Sequence, residues 1–495
     1  MFAVYLGCLG FLLLYYLYQK TYSYWSSRSV PFDKPFLIFG SFFDVAARKK
    51  HMFDVIREIY DKFDTPYVGI YILNQPTLMV RSPELFKKIL VKDFDKFVDR
   101  KVALNESVDP IAANALFNAK DQMWRGLRAK ISPVFSSGKI KLMLPLMKEC
   151  AEDLTAHLDQ RAGETLEVRN VTKKYAVDII SSCAFGVNSY CLKDDNSEIM
   201  KFATKLVDLK SFVRSFSIFS YFFIPKFVDI FRLTLLDKVA SDYLTQMFKS
   251  TIAERQKKNI VRNDLIDLLN NLKDNEKFSD EYKFDDIKMA AQALAFFSAG
   301  NDTISMTISF TLYELALNLP IQDRLRQEVK ETFAKHGDFT YDAIYEMKYL
   351  DMVVNETLRK YPLTSFLNRK SASKYTFEET GFTLDEDVAI LIPVAGLHFD
   401  SEYFPDPEKY NPERFTEENK TKIPPYTFLP FGEGPRNCIG QRFGLLMTKL
   451  ALAYTIKDFT FERTAATAVP LGLDPGSLFL ENKTGIHMKV AKVQQ

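Results

Sequence analysis

Phe431-Gly432-Glu433-Gly434-Pro435-Arg436-Asn437-Cys438-Ile439-Gly440 is the stretch on which the reading of this chain turns. Its glycines and proline force a tight, non-helical loop. A lone cysteine follows, at the entry to an apolar segment with helical spacing that runs to about Thr455. Amide groups at a helix N-terminus point at such a sulfur and favour its anionic form. Taken alone, Cys438 reads as a buried, inert cysteine, where most lone cysteines belong. The surrounding glycines and Arg436 change that reading. An anionic sulfur with no second Cys or His nearby suits one axial bond to a haem iron, and thiolate donation favours cleavage of an O–O bond. Arg436 is placed to reach an anionic group on the rim of such a cofactor.

Three further segments carry chemistry. Trp124-Arg125-Gly126-Leu127-Arg128 puts Trp124 and Arg128 at i and i+4, on one helical face; by itself this also fits a surface Arg beside a core Trp. Ala299-Gly300-Asn301-Asp302-Thr303 falls midway along the longest helical pattern, about 286–318. Such a helix spans roughly 50 Å. Gly, Asn, Asp and Thr at its centre all cost helicity. The Thr303 hydroxyl is placed to bond back to the Ala299 carbonyl and open the helix locally. The apolar neighbours argue against an exposed Asp302. Glu356-Thr357-Leu358-Arg359 is followed by Pro412-Glu413-Arg414-Phe415, and each alone is a commonplace surface pattern.

Together these segments, in this order, resemble the cytochrome P-450 superfamily over nearly the whole chain. The likeness is strongest to insect microsomal members that also resemble vertebrate drug-metabolising ones. Trp124 to Met143 carries it, with His398-Phe399-Asp400 and Pro405-Asp406-Pro407. The Pro-Pro-Gly-Pro hinge common elsewhere is absent. The resemblance implies a mainly α fold with a minor β-sheet portion, and haem b between the long central helix and the Cys438 loop. It implies Cys438 as the metal ligand. Trp124, Arg128, Ala299, Arg369, Phe431 and Arg436 follow as cofactor contacts, and Asp302 with Thr303 as a proton relay. Glu356, Arg359 and Arg414 become a buried structural triad. The activity implied is a monooxygenase acting on small apolar substrates, with electrons from NADPH through NADPH-cytochrome P-450 reductase and cytochrome b5 as a further partner. Substrate-lining candidates are Val108 to Phe117, Phe212 to Phe223, Leu294 to Ala299, Leu363 to Leu367 and Ser477 to Leu480. Lys130, Lys139 and Lys141 are candidates for docking an acidic reductase face, or are plain solvated lysines. Two rivals stay open: a haem-thiolate isomerase or dehydratase without a reductase, and a non-catalytic haem sensor.

The bulk numbers agree with one large enzyme. The chain has 495 residues, a formal charge of +2, and 43 Phe against 2 Trp. So small a net charge, without a basic stripe, excludes a nucleic-acid field. Five cysteines and five scattered histidines give no zinc spacing. A Cys183–Cys191 bridge is disfavoured for a cytosol-facing domain. Residues 1–19 lack charge and have the length of a membrane helix. Lys20 and Arg28 follow, which places the rest of the chain on the cytoplasmic side. A cleaved signal peptide is the competing reading. The expected organisation is an anchor over 1–19, a basic, Pro-containing linker over 20–35 and a single haem-thiolate domain over 36–495, at the endoplasmic reticulum membrane. In that topology the sequons at Asn105, Asn170 and Asn482 carry no glycans. Residues 212–231 crowd Phe and Tyr together, either as core or as a surface dipping into the membrane.

Overall fold

The computed structural model describes residues 15–493, apart from 104, 209–210, 275–283 and 478. Helices dominate, with short strands between them. The described residues gather into two compact units. The first comprises the chain up to Lys101, Thr364–Pro405 and Pro424–Asn437; the second comprises Val102–Leu363, Asp406–Ile423 and the chain from Cys438 onward.

The first unit is built on a four-stranded sheet. Tyr67–Ile72 pairs antiparallel with Gln75–Val80, which runs parallel to Ala389–Ile392, which pairs antiparallel with Leu367–Lys370. The turn falls at 73–74, and Pro76 is tolerated near the strand's start. Val68, Ile70, Leu78, Val80 and Ile390 are fully buried. Helix Met52–Lys62 packs on helix Val394–Phe399, where a Cβ on Gly396 would stand 2.4 Å from the Tyr60 ring. Sequence spacing gave no sign of that second, six-residue helix. The stretch expected as a linker, 20–35, is part of this unit's core. Trp25 is fully buried, its indole N–H donating to the Ile70 carbonyl at 3.0 Å. A lone Trp among Ser, Tyr and Arg hid that packing from any periodicity. Of the anchor expected over 1–19, residues 1–14 lie outside the described ones. Among the described residues no single helix is long and apolar enough to cross a membrane.

The second unit surrounds one helix, Asp286–Leu317, about 48 Å long by its rise per residue. The Asp285 carboxylate caps it by accepting the Lys288 N–H. Helices Val168–Ile180, Lys238–Lys258, Lys348–Lys360 and Gln441–Asp458 pack on it, so most of its length is buried. Side-chain caps set several boundaries: helix Lys238–Lys258 begins where Asp237 accepts the Ala240 N–H. Strands Thr165–Glu167, His487–Lys492 and Phe459–Glu462 form a small antiparallel sheet. The proline-rich stretch 404–430 has only short helical turns, yet Phe404, Tyr410, Phe415 and Leu429 are buried. Helices Phe212–Phe223 and Pro225–Phe231 divide the aromatic cluster: Tyr221, Phe223 and Val228 are buried, while Val213, Phe216, Phe227, Ile230 and Phe231 are exposed. Cys150, Cys183 and Cys191 are buried and not joined by disulfides.

Candidate functional site

The loop before Cys438 is held open by left-handed backbone. Gly432 has φ +69° and Gly434 φ +74°. A Cβ on Gly434 would stand 1.9 Å from the Leu90 carbonyl oxygen, so only glycine fits. Arg436 is buried, its guanidinium 3.4 Å from Asp99 Oδ1. Phe431 is half-buried at the head of the loop. The second unit resumes at Cys438, three residues before helix Gln441–Asp458 begins, and the cysteine is exposed.

Arg128 lies close to that sulfur. Burial pulls the Arg128 guanidinium below its usual range, and a negative Cys438 acts in the opposite sense. Trp124, one turn earlier on helix Asp121–Ile131, is buried. Arg128 is half-buried, which removes the reading of a surface arginine beside a core tryptophan.

Arg369, on strand Leu367–Lys370, has 2 % of its surface exposed. One of its terminal N–H groups donates to the Asn368 carbonyl, and Nε has no hydrogen-bond partner among the described residues. Burial first, and then the positive charge of Arg436, pull Arg369 down to about 9. Two buried guanidiniums that repel each other call for an anion. Haem b carries two propionates, so this pair fits the expected group, and Arg369 adds to that fit from outside the cysteine loop.

On the long helix, the Thr303 hydroxyl donates to the Ala299 carbonyl at 2.7 Å, the back-bond expected from the sequence. Ala299 is exposed and Thr303 half-buried in a helix otherwise sunk in the core. A Cβ on Gly300 would meet Ile180 at 2.6 Å, so this turn lies tight against helix Val168–Ile180. Asp302 is largely buried, as its apolar neighbours implied, and its carboxylate faces that same helix. Arg169 Nη2 stands 3.0 Å and Lys173 Nζ 3.2 Å from Asp302 Oδ1. Burial opposes ionisation of Asp302, but the charges of Lys173 and Arg169 outweigh it and hold the carboxyl below its usual range. No hydrogen bond joins Asp302 to Thr303 among the described residues. Arg169 and Lys173 were missed from sequence. The available signal was a basic i, i+4 pair on an apolar helix.

The triad is assembled. Glu356 and Arg359 are fully buried and bidentate, with Nε–Oε2 at 2.8 Å and Nη2–Oε1 at 2.9 Å. Arg414 Nε is 3.4 Å from Glu356 Oε1, and the Asn411 N–H donates to the same oxygen at 2.9 Å. Arg359 and Arg414 also donate to the Pro407 and Asp406 carbonyls, both at 2.8 Å. The cluster therefore fixes the irregular stretch after Pro405. Of the candidate docking lysines, Lys139 is exposed, while Lys141 is already paired with Asp342 at 3.0 Å.

The family model described as Cytochrome P450 matches residues 30–490. Cytochrome P450 6k1 of Blattella germanica is 37% identical over 97% of this chain and 94% of its own length. Cytochrome P450 6j1 of the same organism is 37% identical over 97% and 95%. Probable cytochrome P450 6a23 of Drosophila melanogaster is 37% identical over 98% and 97%.

Proposed function

Because this chain belongs to the cytochrome P450 family and is a haem b monooxygenase drawing electrons from NADPH, we propose that Cys438 is its iron ligand and that residues 36–495 work as one catalytic domain. The single observation that carries the ligand assignment is the exposed Cys438 sulfur at the approach to a helix, with Arg128 beside it. When bound, haem supplies the redox chemistry that activates dioxygen. The protein's residues orient, exclude water and move protons. Trp124, Arg128, Arg369 and Arg436 would hold the propionates, and Ala299 and Phe431 would border the macrocycle. The Thr303 hydroxyl, held on the Ala299 carbonyl, turns to present its proton at the reacting face. Asp302 resupplies Thr303 once its carboxylate leaves Arg169 and Lys173, takes a proton from solvent and passes that proton on.

The enzyme works with a redox partner and a small substrate. NADPH-cytochrome P-450 reductase is the donor we propose, with cytochrome b5 as an auxiliary one. Lys139, exposed, is better placed than the paired Lys141 to meet an acidic partner surface, with Lys130 as a further candidate. Apolar foreign compounds are the substrate class that fits an aromatic-rich interior, and the segments Val108 to Phe117 and Phe212 to Phe223 line their pocket. Anchoring at the endoplasmic reticulum membrane through residues 1–19 keeps the domain cytoplasmic. The exposed Val213, Phe216, Phe227, Ile230 and Phe231 give a second, peripheral contact.

The ferrous carbon-monoxide complex of the full chain is expected to show the red-shifted thiolate-type band, and Cys438→Ser to lose it. Retention of the band by Cys438→Ser overturns the assignment. Product formation from an oxygenated substrate with no reductase present would instead favour the isomerase or dehydratase reading.

A further inference from the structure

Residues 105–118 are fastened at both ends of their path, and one buried side chain ties their backbone to the long helix. Gln292 is fully buried on helix Asp286–Leu317. Its Oε1 accepts the Leu116 N–H at 2.9 Å, and its Nε2 donates to the Asn114 carbonyl at 2.7 Å. The same Nε2 lies 3.1 Å from the Lys288 carbonyl, so the amide's orientation is fixed from its own helix. Both polar ends of one carboxamide are thus spent on two backbone groups, either side of Ala115. That is a reader of backbone geometry rather than of side chains.

The far side of the segment is tied to the aromatic hairpin. The Ala103 N–H donates to the Tyr221 carbonyl at 2.8 Å, and Asn105 Nδ2 donates to Asp229 at 2.6 Å. Asp109 does two things: Oδ1 caps helix Pro110–Asn114 at the Ala112 N–H, and Oδ2 accepts the Leu235 N–H. The Phe117 ring meets the Phe222 ring edge-on at 6.4 Å. Helix Pro110–Asn114 also packs on the long helix, so without Gln292 the segment would stay packed but lose its polar tie at Asn114 and Leu116. That tie fixes where the end of the segment stands relative to Ala299 and Thr303, on the same helix.

We infer that Gln292 is a positioning residue that determines substrate selectivity, by holding Asn114 to Leu116 against the long helix and so fixing where Leu116 and Phe117 stand. The inference rests on the reading that Val108 to Phe117 line the substrate pocket. Gln292 touches neither substrate nor cofactor. Its effect is on the shape of the wall and on the freedom of that wall to yield to a larger substrate.

The test uses the full-length haem-loaded enzyme and the Gln292→Met variant, which keeps side-chain length and burial but removes both amide contacts. Two quantities are read: hydrogen exchange at the Leu116 amide, and KM, kcat and product distribution over a series of apolar substrates of increasing size. Two lost hydrogen bonds should speed exchange at Leu116 by roughly tenfold to a hundredfold. KM should change with substrate size and the product distribution should broaden, while kcat for the smallest substrate moves little. A purely structural role would lower all substrates alike. Unchanged Leu116 exchange overturns the inference directly. Phe117→Ala separates the remaining failures. If Gln292→Met frees Leu116 without altering selectivity, while Phe117→Ala does alter it, the segment lines the pocket but Gln292 does not govern it. If neither variant alters selectivity, the pocket reading itself falls, and the inference with it.

Discussion

Removing the carboxylate of Glu356 should be among the most damaging single changes in this protein. In Glu356→Ala, Arg359 keeps its carbonyl contact at Pro407 but loses both charge-assisted bonds, with none of its surface exposed to water. Arg414 loses its only carboxylate partner within the triad, with its side chain 10% exposed. The Asn411 N–H loses its acceptor. Breaking a buried pair by deleting one partner costs about 3–5 kcal/mol. Set against a typical total of about 5–15 kcal/mol, that is a large share of the stability. The measurement is the urea midpoint by circular dichroism, alongside the amount of haem retained after gel filtration. The sharper form is a cycle with Glu356→Met, Arg359→Met and the double variant. Apolar replacement of a whole pair is often close to neutral, whereas one stranded charge is not. The double variant should therefore be destabilised by less than the sum of the two single ones. A loss below about 1 kcal/mol in Glu356→Ala, or additive effects in the cycle, would refute the reasoning.

Three further outcomes are expected. Arg169→Met with Lys173→Met removes the charges that keep Asp302 ionised. Burial then dominates and raises its carboxyl above the usual value of about 3.9, so product yield per NADPH should acquire an acidic limb at higher pH than in the parent; an unchanged pH profile would count against Asp302 in proton delivery. Arg369→Gln removes one of two buried guanidiniums that repel each other and call for an anion, so haem uptake by the apo-protein should weaken; an unchanged uptake titration would count against Arg369 as a propionate partner. Gly434→Ala places a methyl group 1.9 Å from the Leu90 carbonyl at a positive φ, so the loop must shift and the carbon-monoxide band of the variant should be lost or displaced. Gly472→Ala, with open space around it and outside the cysteine loop, should leave the band unchanged.

The site was legible in the sequence where a motif is local. The Cys438 loop, the Thr303–Ala299 back-bond and the long helix need only neighbours along the chain to be read. The Glu356 triad joins residues more than fifty positions apart, and only resemblance to a family joined them in advance. What stayed hidden was set by tertiary packing. Arg169 and Lys173 read as ordinary helix-surface charges until helix Val168–Ile180 is laid against the long helix. Gln292 looks like a polar interruption of an apolar face until Asn114 and Leu116 reach it. Helix Val394–Phe399 is too short to show a period. The aromatic cluster of 212–231 posed a choice between core and surface, and the answer is both, on opposite faces.

The burial of Trp25 has a practical consequence for how this chain can be shortened. Tyr18 donates to the Pro35 carbonyl, Tyr22 packs edge-on against Tyr71, and the indole of Trp25 fills the space left by the absent side chain of Gly69. The sheet of the first unit is therefore finished by residues that lie upstream of Val30. A shortened version made by deleting leading residues should keep everything from Tyr18 onward. A cut at Val30, the point where the family match begins, would take away the tryptophan and leave a hole in the core beside Ile70. By the same geometry, a pull applied at residue 18 is delivered to the sheet edge rather than absorbed by a slack tether.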